Sequence, residues 1–486
     1  MLPLFLRWLP LALITALALW LRTHDLARRP MHADEANQAM KLGELIDAGH
    51  YAFDPRDHHG PTLYYAALPV AWLRGERSTA ALTETTVRLV PAIFGTLTVL
   101  LVAALAAPLG RWPALAAALL CAVSPPLVYN ARDFIQETLL LAFVLAAFLC
   151  VRTWWRSGLA RWAIAAGACA GLAQATKASA PLFLAAALIA LLLFRGESRP
   201  ATRRPRRDLI AGLLAGGFAA ALLYSSFGAN PAGLRDAFAA YAHAAARFGA
   251  DAAPTGHEKP WWYYLRLFGW WREGGLVWQQ LAFSALALAG FLVAWLSPGR
   301  FLRGVAFYTL ALILAFSLFA YKTPWHAIHF VPGAALLAAA ALAAMARLRT
   351  GRPLAVAFAL VATAMLFQQT QLSSFLRPAD QRNPYAYVHS SPDVLKFRPL
   401  ADAALARAPG QPVRVIAEEY WPLPWYFRGL PRVGFYATPP DDCDGALIVA
   451  SQTQADAVRA KLRRPYRESI LGLRPGVLLV TFTPEP

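Results

Sequence analysis

Acidic side chains are scarce in this chain, 28 Asp and Glu against 46 Lys and Arg in 486 residues, so those flanking apolar runs stand out. Four polar clusters do so: His32-Ala33-Asp34-Glu35; Asp54-Pro55-Arg56-Asp57-His58-His59-Gly60-Pro61; Arg132-Asp133-Phe134-Ile135-Gln136-Glu137; and Lys322-Thr323-Pro324-Trp325-His326, with His329 a turn further on. Lys177 stands alone at the end of another apolar run. A carboxylate such as Asp34 or Glu35 can take a proton from an acceptor hydroxyl as general base. Fixed cations such as Arg132, Lys177 and Lys322 can neutralise a departing phosphate. Together these parts suit transfer of a sugar from a polyprenyl-phosphate carrier to a glycan, lipid or protein acceptor, with His58, His59, Asp133, Gln136, Glu137, Trp325 and His326 around the substrates. That chemistry needs no nucleotide, and the chain shows neither a GxGxxG nor a P-loop in strand context.

Each cluster also has a structural reading. Asp34 can cap the helix it begins, and Glu35 suits the positive end of that helix. Asp133 and Gln136 have the three-residue spacing of a capping box. His326 and His329 can be hydrogen-bonded packing residues. His58 and His59 with His32 could be read as zinc ligands, but adjacent histidines lack the usual tetrahedral spacing, so no metal or other cofactor is expected.

The elements that position these residues are membrane spans. The chain is 58% hydrophobic and 15% charged, with Ala and Leu runs that a soluble core of this size could not hide. A helix crossing a bilayer needs about 20 apolar residues. Eleven runs qualify, near 4–21, 87–109, 112–129, 138–153, 160–176, 179–194, 209–227, 276–296, 303–320, 327–346 and 354–371. The first is read as a retained span, since no small-residue cleavage pattern follows it. Short-loop arginines lie in alternate gaps: Arg7; Arg111; Arg152, Arg156 and Arg161; the run from Arg195 to Arg207; Arg300 and Arg303; and Arg347, Arg349 and Arg352. Basic residues resist export, so these gaps and the N-terminus are expected in the cytoplasm, and the protein in the plasma (inner) membrane as a multi-pass chain. The net charge of +18 is therefore a topology and anionic-lipid signal, and no nucleic-acid partner is expected. Cys121, Cys150, Cys169 and Cys443 form no disulfide or CxxC pattern.

The opposite side receives residues 22–86, 228–275 and the tail. A transmembrane domain over 1–372 and an extracytoplasmic α/β domain over 373–486 are expected. In the first loop Ala36, Met40, Gly43, Leu45 and Ile46 have helical spacing; in the second, Leu234, Phe238, Tyr241, Ala245 and Phe248 make an amphipathic helix, followed by Trp261-Trp262-Tyr263-Tyr264 and Trp270-Trp271 at headgroup depth. The tail alternates short runs such as Val413–Ile416 and Gly476–Thr481 with a helical stretch from Gln454 to Leu462. By parity the polar clusters gather on the exported face, where spans one, three to five and nine would surround one pocket.

Three segments, Met31–Ala36, His59-Gly60-Pro61-Thr62-Leu63-Tyr64-Tyr65 and Arg132–Glu137, resemble the integral-membrane GT-C glycosyltransferases of the protein O-mannosyltransferase superfamily. Lys322–Trp325, Asn383-Pro384-Tyr385-Ala386-Tyr387-Val388-His389 and Trp421-Pro422-Leu423-Pro424-Trp425-Tyr426 are similar to its flippase-activity-associated subfamily. The resemblance implies a GT-C fold, a lipid-phosphate sugar donor, a hexosyl- or pentosyltransferase acting with inversion outside the cytoplasm, and Asp34 as base with Glu35 as neighbour or alternate. It carries Arg132, Asp133 and Glu137 over to the second polar motif of the family. The first loop has Asp-Glu rather than a spaced Asp-x-Asp, which speaks against a required divalent metal. The competing readings are a lipid-linked oligosaccharide flippase or a flippase-associated, non-catalytic partner, and a scaffold with a lectin-like tail. A flippase should carry ionisable residues along a mid-span path, whereas these gather at one rim.

Overall fold

The computed structural model describes residues 4–56, 59–194, 204–247 and 257–485. His58, Asp57 and the basic run 195–203 lie outside them. The chain begins with α1 (Leu4–Thr23), α2 (Ala33–Ala48), α3 (Thr62–Leu73), α4 (Glu84–Ala106), α5 (Arg111–Ala122), α6 (Pro125–Asn130), α7 (Glu137–Ser157), α8 (Ala160–Gln174), α9 (Ala180–Phe194), α10 (Pro205–Tyr224) and α11 (Ala232–Arg247). After α12 (Tyr263–Phe268) a hairpin, β1 (Trp270–Glu273) and β2 (Leu276–Gln279), leads into α13 (Leu281–Leu296), α14 (Arg300–Leu318), α15 (Val331–Met345) and α16 (Gly351–Gln371). The tail contains α17 (Phe397–Arg407), β3 (Val413–Ile416), α18 (Leu423–Tyr426), β4 (Val433–Tyr436), β5 (Leu447–Ser451), α19 (Gln452–Lys461), β6 (Tyr466–Arg474) and β7 (Val477–Pro484).

Every expected span contains a helix. Six helical stretches are long and apolar enough to cross a membrane: Glu84–Leu109, Glu137–Ser157, Pro205–Tyr224, Arg300–Leu318, Pro324–Met345 and Gly351–Leu376. Shorter apolar helices include Trp8–Thr23, Arg111–Ala122, Ala180–Phe194 and Leu281–Leu296. This is a multi-pass membrane protein. The run near 112–129 is broken after Ala122, because Pro125 and Pro126 start a new helix where their missing N–H groups cost nothing. The run near 276–296 begins as β2, turned by Gly274 and Gly275, both at positive φ as a two-residue hairpin demands, so its helix starts at Leu281.

The chain folds as two compact units. The first takes residues 1–24, 50–67 and 88–378; the second takes 25–49, 68–87 and 379–486, so parts of the first large loop fold with the tail. In the first unit α15 is apolar all round and lies in the core with α1, α5 and parts of α13 and α14. Glycines permit the closest crossings. A Cβ on Gly167 would lie 1.8 Å from the Gly212 carbonyl oxygen, and one on Gly171 2.1 Å from that of Gly216. The Gly167-x3-Gly171 stripe of α8 thus seats directly on the Gly212-x3-Gly216 stripe of α10, the small-residue packing of membrane helices. Packing of α13 on α15 has the same form, Gly290 facing the Leu337 carbonyl.

In the second unit five strands pair in the order β4-β3-β5-β7-β6. β3 runs parallel to β4 and β5, while β7 runs antiparallel to β5 and β6. Ile416, Ile448, Ala450, Val458, Val480 and Phe482 form a core between the sheet and α19. The expected strand and helix segments of the tail are all present.

Candidate active site

In the first unit the site begins with helix geometry. α7 and α8 are joined by Gly158 and Leu159 alone, so they run antiparallel as neighbours, and the start of α7 meets the end of α8. Glu137 is the first residue of α7, and Lys177 follows α8, its N–H bonded to the Ala173 carbonyl. Each charge suits its helix end, the acid at the positive terminus and the ammonium at the negative one. The Lys177 ammonium donates directly to Glu137 Oε1, with the Glu137 side chain 2% exposed and that of Lys177 13%.

A 3-10 helix, Pro324–His329, brings an imidazole near the same carboxylate. His326 Nε2 stands 3.8 Å from Glu137 Oε1, and its Nδ1 lies 3.2 Å from Thr323 Oγ1 and 3.3 Å from the Tyr264 hydroxyl. The Tyr264 hydroxyl also bonds the Thr323 carbonyl at 3.0 Å, which fixes the turn. His329, 2% exposed, stacks on Phe183 with ring centroids 4.0 Å apart, and neither ring nitrogen has a hydrogen-bond partner among the described residues. The Gly60–Thr62 segment docks here as well: Thr62 N–H bonds the Ala175 carbonyl, and a Cβ on Gly60 would fall 2.1 Å from that oxygen, so only glycine fits. His59, beside it, is exposed.

Two of the expected phosphate partners are engaged with backbone. Arg132 Nη1 donates to the carbonyls of Leu21, at 3.1 Å, and His24, at 2.6 Å, while its guanidinium lies over Phe375. It closes the C-terminal end of α1. The Lys322 ammonium donates to the Lys259 carbonyl at 3.0 Å and to the Phe319 carbonyl after α14. Burial pushes this ammonium below the usual lysine range. Asp133 and Gln136 are buried; α7 starts at Glu137 with Gln136 at its N-cap, so Asp133 lies three residues ahead of the cap position rather than on it. Trp325 is half-buried next to His326. Beside Tyr264, an apolar cavity of about 290 Å³ opens between α12, α13, α14 and α15, lined by Phe268, Phe283, Phe291, Leu310 and Phe330 among others.

Asp34 and Glu35 belong to the second unit. The helix they begin is capped by His32, not by Asp34: His32 Nδ1 accepts from the Asp34 N–H and Glu35 Oε2 from the His32 N–H, a reciprocal box that leaves the Asp34 carboxylate free of capping duty. Glu35 is fully buried and Asp34 is exposed. The two tail segments singled out in the sequence hold this turn. The Tyr426 hydroxyl accepts from the Met31 N–H at 2.8 Å, Ser390 Oγ donates to the Met31 carbonyl at 2.7 Å, and the His389 ring stacks on His32 with centroids 4.9 Å apart. Trp425 Nε1 donates to Glu84 Oε1 at 2.7 Å, and Arg428 to the Leu82 carbonyl, fastening the Trp-Pro segment to residues 82–84. Tyr264, Thr323, His389 and Tyr426 were not among the expected site residues. Each lies in a segment the sequence had marked, Tyr264 in the aromatic belt, Thr323 in the Lys322–Trp325 cluster, and His389 and Tyr426 in the two tail segments, but nothing in those segments told these side chains from their neighbours.

Residues 70–227 match the family model of dolichyl-phosphate-mannose-protein mannosyltransferases. No curated protein sequence matches the chain. Among solved structures the fold is similar to that of ArnT from Cupriavidus metallidurans, in the apo state (TM-score 0.67) and bound to undecaprenyl phosphate (TM-score 0.68), each at 16% identity over 97% of both chains. It is also similar to the oligosaccharyltransferase AglB from Archaeoglobus fulgidus in complex with an inhibitory peptide and a dolichol-phosphate, at TM-score 0.54 and 16% identity over 85% of this chain and 62% of that one. The chain is thus a multi-pass membrane protein with a small sheet unit at its C-terminus. Its fold is that of the GT-C glycosyltransferase superfamily.

Proposed function

We propose that this protein is a membrane glycosyltransferase that moves a sugar from a polyprenyl-phosphate donor to an acceptor hydroxyl on the extracytoplasmic side, with inversion at the anomeric carbon. The observation that carries this reading is the Asp34 turn: an exposed carboxylate between buried His32 and buried Glu35, on a turn held by Tyr426 and Ser390, in a chain of GT-C fold. The Asp34 carboxylate takes the acceptor hydroxyl proton as the acceptor oxygen bonds to the anomeric carbon. The bond from that carbon to the phosphate oxygen breaks, and polyprenyl phosphate leaves with both electrons. Lys177 neutralises the phosphate, with Glu137 and His326 setting the position of its ammonium. Arg132 and Lys322 hold helix ends and the adjoining turns, and Glu35 positions His32 and thereby Asp34. The aromatic cavity beside Tyr264 takes isoprene units of the carrier. The arginine-rich gaps support a cytoplasmic N-terminus and, with it, an acceptor on the opposite side.

The test uses membranes containing the full chain and radiolabelled undecaprenyl-phosphate sugars, with release of undecaprenyl phosphate and label transfer both followed. Asp34→Asn should lower the rate by about 10²- to 10⁴-fold, the usual contribution of a general base, while Glu35→Gln, which can still accept from His32, should retain most activity. Transfer by Asp34→Asn at the parent rate, in protein inserted normally, would remove the base from this scheme.

A further inference from the structure

The far end of α7 carries a second charged feature that sugar transfer does not use. A helix rises about 1.5 Å per residue, so Arg152 and Arg156 lie roughly 22 to 29 Å along α7 from Glu137, close to a bilayer core away. There a cavity of about 630 Å³ opens between the C-terminal ends of α4 and α7, lined by Ala104, Ala107, Leu149, Arg152, Arg156 and Ser157 among others. Two guanidiniums one helical turn apart repel each other, and no carboxylate lines the cavity. The helix-end carbonyls answer only part of this charge. Arg152 Nη1 donates to the Leu105 carbonyl at 3.1 Å and its guanidinium lies over Phe301. Arg156 is exposed and makes no hydrogen bond or ion pair with any described residue. The Ser157 hydroxyl oxygen accepts from the Leu159 N–H, which leaves its O–H to donate.

We propose that this cavity is a binding site for the phosphate headgroup of an anionic phospholipid, in the leaflet opposite the Glu137–Lys177 cluster. The chemistry selects the occupant. Arg152, Arg156 and Ser157 present donors and positive charge at headgroup depth, the arrangement that suits a phosphodiester. Ala104 and Leu149, each set back from Arg152 along its helix, leave a shallow apolar floor along which the first acyl carbons lie. A phospholipid joins both chemistries in one molecule, whereas free phosphate uses only the first. The bound lipid would hold α4 and α7 together at the end where Arg111, Arg152, Arg156 and Arg161 gather, which ties the topology signal to one defined cavity.

Native mass spectrometry of the full chain, released from a neutral detergent, tests this with phosphatidylglycerol, phosphatidylcholine and inorganic phosphate titrated separately. The parent should retain phosphatidylglycerol at concentrations where phosphatidylcholine and inorganic phosphate leave it bare. Arg156→Gln, which breaks no contact within the protein, should weaken phosphatidylglycerol binding at least about tenfold, the effect of one charge-assisted hydrogen bond. Arg161→Gln, an exposed arginine at the same end but outside the cavity, should bind as the parent does. Equal retention of the two lipids overturns the proposal, as does equal weakening by Arg156→Gln and Arg161→Gln. Arg156-dependent binding of inorganic phosphate with no preference for phosphatidylglycerol would instead assign the cavity to a free anion.

Discussion

Lys177 has two separable duties, and a pair of substitutions with Glu137 tells them apart. The carboxylate is 2% exposed and the ammonium 13%, so their attraction is little screened by water. Removing one partner of a buried pair strands the other charge, at a cost of about 3–5 kcal/mol. Lys177→Met leaves the deeper charge, Glu137, at the first residue of α7, where the positive end of the helix offsets part of the penalty and places the expected loss near the low end, about 3 kcal/mol. Glu137→Gln leaves the more accessible ammonium and should cost less. Glu137→Gln combined with Lys177→Met strands nothing and should recover most of the loss, a coupling of up to about 3 kcal/mol. Thermal unfolding in detergent, followed by tryptophan fluorescence, reads this cycle. Transfer rates in membranes should not follow it. Without a cation for the departing phosphate, the doubly substituted protein should remain slow by about 10²- to 10³-fold despite its restored stability. Recovery of both stability and rate would show that Lys177 only holds α7 to α8, and would refute its part in the chemistry.

The crossing of α8 and α10 gives a second prediction: Gly167→Leu puts side-chain atoms where the Gly212 carbonyl sits, so it should destabilise the first unit by about 1–3 kcal/mol or more, seen as a lowered unfolding midpoint, whereas Gly217→Leu, with open space around its Cβ, should not. A third concerns pH. The Asp393 carboxylate accepts from Lys396 and from the Gly472 N–H, and these bonds hold it below the usual carboxylate range. Its stabilising effect is therefore complete above about pH 4 and is lost as the pH falls through the lowered value. Asp393→Asn should remove that acid-side slope from unfolding of the second unit, measured by far-ultraviolet circular dichroism between pH 5 and 2, and an unchanged slope would count against the assignment.

The membrane-spanning character of the chain was legible in the sequence because apolar length and helical period are local properties: each of the eleven runs contains a helix, although the run near 112–129 is split in two and the run near 276–296 opens with a strand. So were the amphipathic helix after Leu234, the strands at Val413 and Gly476, and the start of a helix at Asp34. The polar residues were found, but their partners were not. Arg132 and Lys322 read as free cations in sequence, yet carbonyls of Leu21, His24, Lys259 and Phe319 take up their donors. Asp34 read as a cap, yet His32 does the capping, since histidine is not among the residues that signal a cap.

By itself the sequence determined which stretches are long and apolar enough to form membrane helices, and it put acids and bases at their ends. Those features depend on residues within a few positions of one another. Only the tertiary structure decided that Glu137 pairs with Lys177 and faces His326, and that Ser390, His389 and Tyr426 hold the turn before Asp34. These partners lie 40 to 395 residues apart, and an ion pair, a stacked ring or a hydroxyl bonded to a distant N–H leaves no periodic trace in the chain that forms it.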